Sequence, residues 1–355
     1  MWQRLTLYDI RVIGHYLGSL VFYAAFVAII PFVTGLLCME WTAAARYLEA
    51  IGLFLITGMG LRFCRIQPGR LNRQQALVVT GLAWIVIALV AAIPLFQSGH
   101  YISYLDALFD AVSGVTTTGA SVVVDLDHFS YADNMWRFML HLVGGLGLLV
   151  VVLSLGLLGR GGGGSSALYS SEGRSEHVVP NVVQTAQFIT RFSLAFVGAS
   201  TILLMIICVF IGIEPLRAFL QAFWLSISAF MTAGFTPMSQ SAMYYHSIGM
   251  EFIFMILMIL GSISFGIHAE IRKGSVTAFF KDLEIRTMVI WLAVLTCVLA
   301  ASLSASPNFS DLPAMLRRGL FTEISAFTTT GFMDITSTQL NSVFSSGAFM
   351  IIAIL

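Results

Sequence analysis

Apolar residues in this chain run in long, nearly unbroken blocks rather than alternating or marking one helical face. The blocks fall at 17–37, 44–61, 75–96, 136–158, 190–213, 248–270, 287–304 and 343–355. Most are close to the roughly 20 residues that a helix needs to cross a bilayer. Three shorter apolar stretches lie between them, at 103–115, 216–230 and 312–327. A helix of about 12–16 residues is only about 18–24 Å long, short of a hydrocarbon core of about 30 Å. Such segments are expected to enter the membrane and turn back. The order long, short, long recurs three times, after two further long blocks at the N-terminus. The pattern predicts an all-α polytopic membrane protein made of tandem helix–loop–helix repeats with two extra N-terminal helices.

Composition agrees. Of 355 residues, 58% are hydrophobic and 10% charged, against about 25% charged in soluble domains. The formal net charge is +0, so bulk charge points to no nucleic acid or acidic partner. Cys38, Cys64, Cys208 and Cys297 are scattered without the spacing of a metal site or disulfide framework, and read as small apolar packers. Arg4 and Arg11 precede the first block, but that block exceeds the roughly 7–15 apolar residues of a leader. It reads as a retained helix.

Charge placement orients the chain. Arg62, Arg65, Arg70 and Arg73 fill one linker; Arg160, Arg174 and Arg191 a second; Arg272, Lys273, Lys281 and Arg286 a third. The segment from Gln97 to Met135 has no Lys or Arg and carries Asp106, Asp110, Asp125, Asp127 and Asp133. Positive loops stay in the cytoplasm, so the three linkers and the N-terminus are expected inside and the acidic segment outside. Arg317 and Arg318 are a mild exception on the outer side. All three short stretches then re-enter from outside. Gly161–Gly164 with Ser165 and Ser166 reads as a flexible linker; a phosphate-binding loop would need a Lys–Ser/Thr pair after the glycines.

Each short stretch ends in a related motif: Ser113-Gly114-Val115-Thr116-Thr117-Thr118-Gly119, Ser228-Ala229-Phe230-Met231-Thr232-Ala233-Gly234 and Ser325-Ala326-Phe327-Thr328-Thr329-Thr330-Gly331. A cation in a membrane must exchange its water shell for protein oxygens, and inward-turned peptide carbonyls supply them. Irregular backbone is tolerated at that depth only where it lines a cavity. Glycine permits the dihedrals required, and a short helix ending at the loop aims its negative dipole end at the ion. Ser103-Tyr104-Leu105-Asp106 has the pattern of a reciprocal helix cap, and Pro215 and Pro313 sit near the other two helix starts. The expected organisation is therefore 1–74, a two-helix region; 75–160, pore repeat one; 161–270, a linker and pore repeat two; and 271–355, pore repeat three, incomplete in its last helix.

The three loops resemble those of the Trk/Ktr/HKT superfamily of potassium transporters. Ser113 to Ser121 is similar to that family's first pore loop, Phe279 to Arg286 to its cytoplasmic linker before the third repeat, and Val179 to Ala186 to the linker before the second. The two N-terminal helices resemble the TrkH branch more than the shorter KtrB branch. The resemblance implies potassium held by backbone carbonyls at Thr116, Thr117, Thr118, Gly119, Met231, Thr232, Ala233, Gly234, Thr328, Thr329, Thr330 and Gly331, with no cofactor in the chain and no enzymatic activity. Met231 and Ala233 depart from the all-Thr form and suggest an asymmetric filter. The resemblance also implies an inner-membrane homodimer working with a cytosolic nucleotide-binding regulatory subunit of TrkA type. The family's fourth repeat and the gating loop of its third are absent before Leu355. The chain is thus expected to be a fragment that does not conduct by itself. A sodium-coupled or sodium-permeable relative, and a non-conducting scaffold, remain alternatives.

Other polar residues carry two readings each. Asp110 and Glu323, on the short helices, could attract cations at the pore mouth or hydrogen-bond behind the filter. His141 lies in an apolar span, where ionisable residues are functional candidates by default, though a packed neutral His is the commoner case. Gly144, Gly145 and Gly147 form a small-residue face for close packing or for a flexible gate. No Ser/His/Asp, Cys/His or metal constellation is present. The topology is open to cysteine labelling in intact cells. A cysteine at position 127 should react with an impermeant reagent from outside; labelling only after the inner membrane is permeabilised would overturn the orientation.

Overall fold

The computed structural model describes residues 6–63, 72–147, 182–303 and 312–335. The glycine–serine linker 161–166, the apolar block 343–355, Cys64, Arg65, Arg70, Arg160, Arg174 and Val179 to Asn181 lie outside these residues. All regular structure among the described residues is helical. The chain forms two compact units. One comprises Met1–Thr116 with Ala120–Leu194, the other Thr117–Gly119 with Ala195–Leu355.

In the first unit, α1 (Leu7–Leu37) starts at a reciprocal cap, in which Thr6 accepts from the Asp9 N–H and the Asp9 carboxylate accepts from the Thr6 N–H. α2 (Trp41–Arg62) folds back along α1. Glycine sets their separation. A Cβ on Gly18 would lie 2.6 Å from the Gly58 carbonyl oxygen, and one on Gly58 would lie 2.7 Å from the Phe22 nitrogen. With no hydrophobic drive between helices in lipid, such backbone contact is what holds them together. α3 (Arg73–Phe96) is tied to the start of α1 by a Gln75–Asp9 hydrogen bond of 2.7 Å. α4 (Tyr104–Val115) begins at the Ser103–Asp106 cap that the sequence predicts. α5 (Tyr131–Leu146) is capped by Ser130, and the Glu40 carboxylate accepts from the N–H groups of Tyr131 and Ala132 at 2.8 and 3.0 Å. A carboxylate there also meets the positive end of the helix dipole.

In the second unit, α6 (Val182–Phe210), which begins in the first, leads to α7 (Pro215–Phe230), with proline in its first turn. A 3₁₀ turn at Ser241–Tyr245 follows, then α8 (Ile248–Ser262), α9 (Phe265–Arg272), α10 (Val276–Lys281), α11 (Leu283–Leu303) and α12 (Leu312–Phe327). Among the described residues, four helices are long and apolar enough to cross a membrane by themselves, at Leu7–Leu37, Trp41–Arg62, Gln74–Phe96 and Val183–Phe210. α4, α7 and α12 have 12, 16 and 16 residues, which at about 1.5 Å each leaves them short of the bilayer. The chain is a multi-pass membrane protein with three short helices of re-entrant length.

One expected span needs correction. The block 248–270 is two helices, α8 and α9, meeting at 99°. Ile263 is extended, Ser262 turns its hydroxyl back to the Ile259 carbonyl, and Ser264 caps α9 by accepting from the Gly266 N–H. Glycine and serine pairs are a common cause of kinks. His268 lies 3.0 Å from the Leu260 carbonyl, one of those left without a helical partner at the end of α8.

Candidate ion-selectivity site

The second and third short helices end the same way. After α7, the Thr232 N–H donates to Ala229 and the Ala233 N–H to Ser228; after α12, Thr329 donates to Ala326 and Thr330 to Ser325. Both are Schellman endings, which require a left-handed residue just past the cap, usually glycine. Here that residue is threonine, with φ +48° at Thr232 and +58° at Thr329. Thr117 after α4 has φ +54°. Positive φ in a β-branched residue is an outlier, and three in one register mark a built feature. Two residues on, the glycines also have positive φ: +77° at Gly119, +88° at Gly234 and +85° at Gly331. Handedness therefore alternates along each loop. Inverting every second residue turns successive carbonyls toward one side, as a carbonyl-lined ion path needs.

The loops meet within the second unit. A Cβ on Gly119 would sit on the Ala233 carbonyl oxygen and 2.7 Å from the Gly234 Cα. A Cβ on Gly234 would sit on the Thr330 carbonyl oxygen and 3.1 Å from the Gly119 Cα. Loop one thus abuts loop two, and loop two abuts loop three, each through its glycine and the neighbour's third carbonyl. Gly331 meets nothing within 4 Å among the described residues. Met231 and Ala233 leave the backbone pattern intact: loop two alternates in hand as the others do.

Asp110 and Glu323, read either as cation attractors or as hydrogen-bonding groups behind the filter, both make hydrogen bonds within the protein. Asp110 is fully buried, accepting from Arg137 at 2.8 Å and from the Tyr101 hydroxyl at 2.9 Å. Glu323 is 2% exposed and accepts from Thr296 at 3.1 Å. Asp110 ties α4 to α5, the span after it, and Glu323 ties α12 to α11, the span before it. His141 is fully buried, edge-on to Phe138. Gly144 packs close: a Cβ there would meet the Val115 carbonyl at the end of α4. Gly261 does the same on α8 against the Phe230 carbonyl at the end of α7. The helix after each of these two loops thus lies on the last carbonyl of the short helix before it.

The sequence reading missed Arg137 and Glu251, both inside blocks counted as apolar. An ionisable residue in an apolar span was the available signal. Glu251, on α8, pairs with Arg317, on α12, through both guanidinium branches. Arg317, the charge exception on the outer side, is thereby neutralised. Close by, Asp334 is 4% exposed, and burial, aided by the Glu251 carboxylate, pushes its carboxyl up to about 6. The exposed Asp125 is held below the usual carboxylate range by its hydrogen bond from His128.

Comparison with known proteins now bears on these loops. A family model described as TrkH, cation transport protein, matches residues 45–310. The chain belongs to the TrkH family of cation transport proteins. Among TrkH-family relatives, an uncharacterized cation transporter of Methanocaldococcus jannaschii is 28% identical, over 96% of this chain and 66% of that protein. The Trk system potassium uptake protein TrkH of Halomonas elongata is 28% identical, over 91% of this chain and 66% of that one. The crystal structure of the potassium transporter TrkH from Vibrio parahaemolyticus superposes with a TM-score of 0.78 at 22% identity, covering 97% of this chain and 69% of that one. That match speaks for the fold. The chain spans about two thirds, 66%, of the length of the curated relatives it matches.

The left-handed threonines generate a test. Thr232→Gly removes the Cβ strain at φ +48°, worth about 1–2 kcal/mol, against a glycine entropy cost of about 0.5–1 kcal/mol. Stability should hold or rise slightly in thermal unfolding of the detergent-solubilised protein. A clear loss would mean that the threonine side chain contributes more than its strain costs.

Proposed function

We propose that this chain is the pore-forming part of a TrkH-type potassium uptake system and carries the ion between its three loops on backbone carbonyls of residues 116–119, 231–234 and 328–331. The observation that carries the proposal is the shared alternation of hand in three loops that abut one another, glycine to carbonyl. That geometry suits a weakly hydrated monovalent cation, for which a row of neutral carbonyls replaces the water shell without a fixed charge. The potassium-uptake names of the relatives support the choice of ion. The resemblance to the family supports an inner-membrane location, a homodimer and a cytosolic nucleotide-binding regulatory partner, and the placement of positive charge supports a cytoplasmic N-terminus. Asp110 and Glu323 act in this reading as supports for the short helices. The order of repeats (75–160, 161–270 and 271–355, after a two-helix region) belongs to the same proposal.

Gly119→Ser in the native protein, expressed in a strain lacking potassium uptake, is the direct test. A side chain there collides with the Ala233 carbonyl and forces a left-handed non-glycine residue, so growth at low potassium should fail or potassium preference over sodium should collapse, with the protein still in the membrane. Unchanged growth and unchanged preference would remove Gly119 from the filter.

A further inference from the structure

Arg137 lies on α5 and is 1% exposed. Its Nε donates to Asp110 at 2.8 Å, one terminal nitrogen donates to the Ser121 hydroxyl at 2.9 Å, and the other reaches the Asn134 side-chain oxygen at 3.4 Å. The guanidinium also lies 5.7 Å from the centre of the Phe129 ring. Asp110 sits on α4, ahead of the first loop; Ser121 sits just past Gly119, on the loop's way out. One side chain therefore grips the chain on both sides of residues 116–119. The third loop has a shorter device for the same span, since the Ser325 hydroxyl donates to the Phe332 carbonyl at 2.8 Å, from the short helix to the residue after Gly331. Ser113 stands at the place of Ser325 in the first repeat, yet its hydroxyl is buried and makes no hydrogen bond among the described residues.

We infer that Arg137 is a positioning residue for ion selectivity, fixing the distance between entry and exit of the first loop so that its left-handed Thr117 cannot relax. The inference rests on reading the loops as a potassium filter. A buried ion pair is weak support for stability, since apolar residues of similar volume often serve as well. What an arginine adds is a rigid fork of donors with fixed angles, and the two ends it joins are the two ends of a strained loop. A serine does this work in loop three by direct contact; in loop one the guanidinium bridges Asp110 and Ser121. Lysine at this position would keep the charge and lose the fork.

The experiment measures rubidium uptake and its competition by sodium in cells carrying the native protein or one of four variants, with the amount in the membrane determined for each. Arg137→Lys and Ser121→Ala should each lower potassium-type preference over sodium roughly tenfold, the low end of the loss expected for one hydrogen bond to a charged group. Arg46→Gln, which breaks a pair with Asp133 that touches no loop residue, should leave the preference alone. Should Arg137→Lys fail to accumulate, Ser121→Ala decides, because it removes only a hydroxyl at an exposed position. Full preference in Ser121→Ala, alongside lost preference in Gly119→Ser, would overturn the positioning role and keep the filter. Full preference in Gly119→Ser as well would overturn the filter reading and the role of Arg137 together.

Discussion

In hydrocarbon, a peptide carbonyl that leaves a helix has nothing to bond with unless the protein or an ion supplies a partner. In the proposed pore each short helix ends inside that environment, and each ends with a residue of the wrong hand for an L-amino acid. Left-handed threonines at 117, 232 and 329 cost free energy, so the rest of the fold has to hold them. The Schellman bonds to Ser228 and Ser325 consume the carbonyls of the last helical turn and release the next ones to the loop. The glycines then bring each loop against its neighbour's carbonyl. The chain's other features follow from keeping these strained turns in place.

Two kinds of support do so. Glycine-mediated backbone contact sets distances: Gly18 and Gly58 between α1 and α2, Gly144 and Gly261 against the ends of α4 and α7. Ionic pairs set orientation beside the loops, Asp110 with Arg137 and Glu251 with Arg317, while Asp133 with Arg46 and Tyr47 ties α5 to α2 away from them. Removing one partner of such a buried pair typically costs about 3–5 kcal/mol, because the other charge is stranded. The charged pairs join helices that flank the loops, while Gly144 and Gly261 sit at the helix ends where the loops begin. Charge and small size thus divide the work of holding a conformation that neither helix propensity nor burial would choose.

Much of this was legible in residue order. The three short apolar stretches became helices of 12 and 16 residues, and the cap at Ser103 formed as its spacing implied. The Ser–x–x–x–Thr–x–Gly pattern located all three loops. It did not reveal which residue bears the strain, because threonine is a poor left-handed residue and only the Schellman geometry of the helix end demands one there. The break in block 248–270 was hidden because the residues around it, Ile256 to Ile267, are apolar or small apart from two serines, and hydropathy registers no local bonding. Asp110 was visible, but its partner Arg137 lay in a block averaged as apolar. Distance in sequence, 27 residues, concealed a contact that only packing creates.

The central claim is that a monovalent cation sits between the loops on backbone oxygens. It is tested most directly by anomalous diffraction from crystals of the native protein grown with thallium or rubidium in place of potassium. The account predicts an anomalous peak within direct coordination distance of carbonyls from at least two of the segments 116–119, 231–234 and 328–331. Well-ordered loops with no peak between them, and a peak instead at a side-chain carboxylate such as Asp334, would contradict it.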